Sequence, residues 1–112
     1  MNSEKKAWVK VIETQTGTIL AACDEELLGK KLKMGELDIE ISPKFYKEHL
    51  VDRETLIKLL QTADVLNLVG NFVVSLAENL GLIHSSAKIF FIDANGDKIP
   101  HAQMYKFEIG RE

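Results

Sequence analysis

Two pairs of residues in this sequence could hold a ligand: Asn67 with Gly70, and His101 with Gln103. Asn67 precedes a helically spaced apolar series, Val69, Phe72, Val73, Leu76 and Leu80, and its side-chain oxygen suits an N-cap. A helix over 68–80 would leave the amides of Leu68, Val69 and Gly70 without intrahelical partners, at the positive end of its dipole. Glycine in a first turn costs roughly 1 kcal/mol of helix stability relative to alanine. It also admits a phosphate or another backbone at close range. Close packing of that turn on a strand is the competing reading, and the favoured one. In Pro100-His101-Ala102-Gln103, proline cannot donate to a strand ladder, so the segment would form an edge or a bulge. It would hold an imidazole and a carboxamide beside the sheet. Histidine could act there as acid, base or ligand, or simply bond a loop carbonyl.

Other reactive types are weaker. Cys23 beside Asp24 could start a helix and pair with His101 as a nucleophile, but Asp24, Glu25 and Glu26 oppose a thiolate. His49, His84 and His101 lack metal-ligand spacing. Asp93, Asn95 and Asp97 alternate like a calcium loop, but the twelfth position from Asp93 is Met104, where such a loop needs a glutamate. The phosphate-loop and dinucleotide glycine signatures are absent. No catalytic residue, metal or cofactor is therefore assigned. Lys44-Phe45-Tyr46-Lys47, with Lys30, Lys31 and Lys33 upstream, is the one basic–aromatic interleaving. Lysines meet phosphates and aromatic faces stack on bases, which makes this segment a candidate RNA contact. Glu36, Asp38, Glu40 and Glu48 dilute it, so a solvated face is the plainer reading.

The elements that must position these residues follow from patterning. Residues 7–14 and 18–23 read as an antiparallel hairpin around Gln15-Thr16-Gly17. Asp24 to Gly29 suits a short helix capped by Asp24. Residues 36–41 alternate, with Leu37, Ile39 and Ile41 toward a core. Residues 43–51 read as irregular. A helix from Asp52 would bury Leu56, Leu59, Leu60 and Ala63, and Asp64-Val65-Leu66 would connect it to the helix over 68–80. Residues 88–92 read as a buried strand, Asp93 to Asp97 as a turn, and 103–109 as a strand with Tyr105, Phe107 and Ile109 on one side. The expected fold is a single compact α+β domain over 7–112, a mainly antiparallel sheet packed on two principal helices, after a flexible segment 1–6.

The chain has 112 residues, 46% hydrophobic and 28% charged, with net charge −3. That suits one folded domain and signals no extensive nucleic-acid surface. One cysteine excludes an internal disulfide and fits a cytoplasmic setting. No apolar run reaches the roughly 18–20 residues of a membrane span.

Four landmarks carry a resemblance: Cys23-Asp24-Glu25-Glu26-Leu27-Leu28-Gly29-Lys30, Asn67-Leu68-Val69-Gly70, Gly81-Leu82-Ile83 and Pro100-His101-Ala102-Gln103. In order and spacing, over roughly residues 7 to 107, the sequence resembles a family of small uncharacterised archaeal proteins classed as a domain of unknown function. Asp93 to Asp97 stands where the resemblance leads one to expect a shorter, glycine-rich turn. The resemblance implies an archaeal cytosolic origin and one compact domain, and transfers no catalytic residue. The expected function is a noncatalytic binding module contacting RNA or a protein of the translation or RNA-processing machinery. A small enzyme acting on a phosphorylated substrate in a cleft between residues 67–70 and His101/Gln103 is one alternative. A homo-oligomeric structural subunit paired through an exposed strand is the other.

Overall fold

A computed structural model describes residues 4–106. Segment 1–3 of the expected flexible N-terminus, and Phe107 and Ile109 of the last expected strand, lie outside the described residues. The first hairpin forms as expected, β1 (Ala7–Thr14) with β2 (Gly17–Asp24), Thr14 facing Gly17 across the turn. A 3-10 turn, Glu25–Leu27, replaces the expected short helix, and the Asp24 side chain does not cap it.

Next comes a hairpin, β3 (Lys31–Met34) with β4 (Leu37–Glu40). The alternation Lys31-Leu32-Lys33-Met34 around Gly35 was its local signal, with only Leu32 buried. Leu37, expected in the core, is 59% exposed. It sits at the turn end of an edge hairpin, beyond the layer that covers Ile41. Residues 43–51 are not irregular. Ser42 accepts from the Lys44 amide and Pro43 opens α1 (Pro43–Tyr46); β5 (His49–Val51) then pairs with β1. Helix α2 (Arg53–Thr62) matches expectation: Asp52 Oδ1 accepts from the Thr55 amide at 2.9 Å, and Leu56 and Leu60 are fully buried.

The largest correction concerns 65–70. Val65-Leu66-Asn67-Leu68-Val69 is β6 (Val65–Val69), a central strand, and the helix is α3 (Asn71–Asn79). Asn67 is therefore no helix cap. Val69 falls on the helical spacing of Phe72, Val73 and Leu76 by coincidence; the strand is set by pairing with neighbours on both sides. Strand β7 (Ile89–Ile92) is interior, but only Phe91 is buried, because no helix covers its other face. It joins β8 (Lys98–Tyr105) through the expected turn, where Asp93 Oδ1 accepts from the amides of Asn95 and Asp97. Pro100 is in neither an edge strand nor a bulge: β8 pairs on both sides. Its carbonyl faces Gly70, one residue past the end of β6, so the amide it lacks falls beyond that ladder.

The sheet order is β4-β3-β7-β8-β6-β2-β1-β5, antiparallel except for β2 with β6. The α+β expectation holds. Helices α2 and α3 cover one face over Val9, Leu20, Ala22, Leu66, Leu68 and Ala102. On the other face a smaller core joins Ala21, Cys23 and Val69 to Leu32, Ile41, Tyr46 and Phe91. The β3–β4 hairpin and α1 close only part of that second face. No helix among the described residues is long and apolar enough to cross a membrane.

Candidate functional site

The first turn of α3 is already filled. The Asp24 carboxylate, at the end of β2, accepts from the Phe72 amide at 2.9 Å and the Val73 amide at 3.0 Å. These are the helix-end donors that an external anion would need. Gly70 makes the arrangement possible: a β-carbon there would lie 2.3–2.7 Å from that carboxylate, and its φ is +118°. The packing reading of Gly70 therefore holds, and the anion-site reading is replaced by an internal cap. Asp24 is 3% exposed. Burial pushes its carboxyl above the ordinary range, while the Phe72 and Val73 amides and Lys5 pull it back and Glu26 adds to the rise. No local pattern announced this contact, since Asp24 and Phe72 are 48 residues apart.

Cys23, next to it, is fully buried, and burial together with Asp24 and Glu26 pushes its thiol up to about 12. It packs as a small apolar residue.

The remaining candidates face the opposite side of the sheet, where strand register sorts them into rows. Trp8, Cys23, Val69, His101 and Ile89 form one row. Lys10, Ala21, Asn67 and Gln103 form the next, and Ile12, Ile19, Val65 and Tyr105 the last. Helix α1 lies against β1 and β2 on this face. Tyr46 is buried, and its hydroxyl donates to Asn67 Oδ1 at 3.1 Å. Tyr46 is thus removed from the candidate RNA contacts, because its ring and hydroxyl are both committed to the core. Tyr46→Phe is expected to lower stability by about 1 kcal/mol, the usual worth of one hydrogen bond. An unchanged urea midpoint would show that water replaces the bond without loss.

Below α1 no other described helix or hairpin covers the face. A groove of about 180 Å³ runs along Ile12, Ile19 and Val65, with Phe45, Asn67, Gln103 and Tyr105 around it. Phe45 is 38% and Tyr105 61% exposed. No carboxylate is among the described lining residues. Lys44 is exposed beside Phe45, and Lys10 Nζ donates to the Lys44 carbonyl at 3.0 Å. Lys47 lies over the Trp8 ring, 5.5 Å from its centroid. Glu48, the nearest acid in sequence, accepts from the Val11 amide at the β1 edge. The rim near α1 thus carries three lysines, Lys10, Lys44 and Lys47, against one carboxylate, Glu48.

The structure brings together members of two separately conceived groups, Asn67 and Gln103 with Phe45 and its neighbour Lys44. Gly70 packs against the Asp24 carboxylate on the helical side of the sheet, whereas His101 and Gln103 face the other side, where Asn67 lines a groove with Gln103. Tyr105, Ile12, Ile19 and Val65 were missed. The signal was in β1, where Val9 and Val11 face the helices while Trp8 and Ile12 are also apolar, as in a strand with apolar residues on both faces.

His101 Nδ1 lies 2.9 Å from the Leu68 carbonyl, and the ring stacks on Phe91 at 5.1 Å and 19°. Burial lowers its pKa, against a smaller opposing effect of the Leu68 bond. Larger hollows of about 520 and 280 Å³ lie on the helical side and share Lys5, Arg53 and Phe72. The first also holds Glu4, Asp52 and Glu54, so its walls carry both signs and select no ligand charge. Among the described residues no cluster of His, Cys, Asp or Glu is arranged to hold a metal.

A family model described as a protein of unknown function, DUF424, matches residues 12–107. A crystal structure of an uncharacterized conserved protein from Methanopyrus kandleri is similar at a TM-score of 0.73 and 25% sequence identity, covering 96% of this chain and 95% of that one. A search of curated proteins finds no match.

Proposed function

The chain belongs to the DUF424 family, and since that membership brings no activity with it, we propose from the geometry of the open sheet face that the protein is a noncatalytic module binding single-stranded RNA. One observation carries the reading. Among the described residues, the groove on this face presents exposed aromatic rings, Phe45 and Tyr105, two carboxamides, Asn67 and Gln103, and no carboxylate. Rings on an open sheet accept unstacked bases, carboxamides meet base edges, and lysines at the rim meet phosphates. A duplex hides its bases, so the surface suits single strands. The net charge of −3 confines attraction to this rim, and binding is accordingly modest in strength.

The test is fluorescence polarisation of a labelled, unstructured RNA oligonucleotide at low salt. Tyr105→Ala and Phe45→Ala should each weaken binding by about 1–3 kcal/mol, the usual worth of stacking a base. Lys44→Ala with Lys47→Ala should flatten the salt dependence. These side chains are exposed, so the variants should keep the fold. A wild-type protein that leaves the oligonucleotide unbound at micromolar concentration would overturn the reading.

A further inference from the structure

We propose that the His101–Gln103 step of β8 selects a base carrying an exocyclic amino group, cytosine or adenine over uracil. This rests on the RNA reading of the same face and adds a chemical preference to it.

A carbonyl oxygen only accepts, so the 2.9 Å contact between His101 Nδ1 and Leu68 O places the hydrogen on Nδ1. The Leu68 carbonyl belongs to β6, a central strand, so the acceptor is fixed. In the neutral ring Nε2 is then a hydrogen-bond acceptor with a set direction. Burial favours the neutral form, and stacking on Phe91 holds the ring plane. No described residue hydrogen-bonds Nε2, and the atom is not buried.

A second hollow, about 200 Å³, lies at this point, lined by Ala87, Ile89, His101, Ala102 and Gln103. Gln103 lines this hollow and the groove beside Tyr105 alike, so it is the link between them. Alternate residues of a strand share a face at a spacing of about 6.6–6.8 Å. His101, Gln103 and Tyr105 therefore present an acceptor, a carboxamide and a ring in succession. Ile89, 46% exposed, supplies an apolar wall.

The Gln103 carboxamide offers a donor beside the His101 acceptor. Cytosine carries the complementary pair on its Watson–Crick edge, an amino group next to an unprotonated ring nitrogen, and adenine carries the same pair. Uracil presents a carbonyl and a ring N–H there. Its carbonyl would face the Nε2 lone pair, a repulsion that Gln103 does not relieve even when it turns its amide oxygen to the uracil N–H. The Tyr46 hydroxyl occupies one of the two lone pairs of the Asn67 amide oxygen.

Cytosine and uracil runs are the cleanest comparison, because the rings match in size and differ at this edge. The full chain should bind an oligocytidine about tenfold more tightly than an oligouridine of equal length, the lower part of the range for a paired base contact. His101→Phe keeps a ring on Phe91 and removes the acceptor. Gln103→Ala changes an exposed side chain and serves as the variant that cannot be dismissed as unfolded. Both should bring the two affinities together, chiefly through the loss of oligocytidine binding. Equal wild-type affinities would overturn the selectivity and leave the RNA reading standing. A preference that survives both substitutions would also overturn it. Binding to neither oligonucleotide would overturn the RNA reading itself.

Discussion

Gly70→Ala is expected to lower stability by on the order of 4 kcal/mol. Two costs combine. The backbone there has φ +118° and ψ 152°, a region that residues with a β-carbon occupy at a cost of about 1–3 kcal/mol. The new β-carbon would stand 2.3–2.7 Å from the Asp24 carboxylate, inside van der Waals contact, and overpacking of this kind costs about 1–3 kcal/mol more. The clash cannot be relieved by rotating an exposed side chain, because Asp24 is buried and bonded to the amides of Phe72 and Val73. The control is Gly81→Ala. Gly81 also has positive φ, +78°, yet an added β-carbon would meet nothing within 4 Å. Its cost should be the conformational part alone, about 1–2 kcal/mol. Urea unfolding at a common slope compares the two. Equal losses would mean that Asp24 yields its position without cost.

The second large effect is at Asp24. Asp24→Ala leaves the amides of Phe72 and Val73 without their acceptor. A buried donor left unsatisfied costs about 1–3 kcal/mol, so the pair should cost roughly 2–6 kcal/mol unless water enters. Asp24→Asn keeps one carbonyl oxygen and should lose less.

The pH dependence has a definite sign. Burial raises the folded-state pKa of Asp24 above the ordinary 3.8. The folded protein therefore binds this proton more tightly than the unfolded chain does. The stability that this proton confers is fully present below the unfolded value, and is lost as pH rises through the folded one. Other carboxylates act the opposite way. Lys33 holds Asp38 low, and the Thr55 amide holds Asp52 low. The wild-type curve alone therefore mixes signs. The difference between wild type and Asp24→Asn isolates Asp24: it should move against wild type as pH rises from about 3.8 toward neutrality. A difference that is flat with pH would show that the two amide bonds offset the burial of the charge.

Both effects concern a junction that links the end of β2 to the start of α3. The same junction occupies the helix-end amides of Phe72 and Val73 with a carboxylate of the chain itself. Among the described residues, the opposite sheet face is open because α1 and the β3–β4 hairpin cover only the upper rows.

Elements whose causes are local were legible in the sequence. The β1–β2 hairpin, the Asp52 cap with the Leu56–Leu60 stripe, and the Asp93–Asp97 turn each follow from residues within a few positions of one another. Their hydrogen bonds and apolar spacing need no distant partner. Gly70 was legible as a residue with a reason, and close packing was the right reason. Tertiary structure alone decided what packs against it, because Asp24 arrives from 48 residues away. It also decided that 65–69 is a strand: an apolar run beside a helix fits both periods until β2 and β8 supply hydrogen bonds on either side. The same holds for the candidate site. Asn67, Gln103, Phe45 and Tyr105 share a groove only because four strands align in register and α1 folds back over them. Residue type could nominate the amides and the rings. Which face they share, and which of them stay open to a ligand, was set by pairing and cover between segments far apart in the chain.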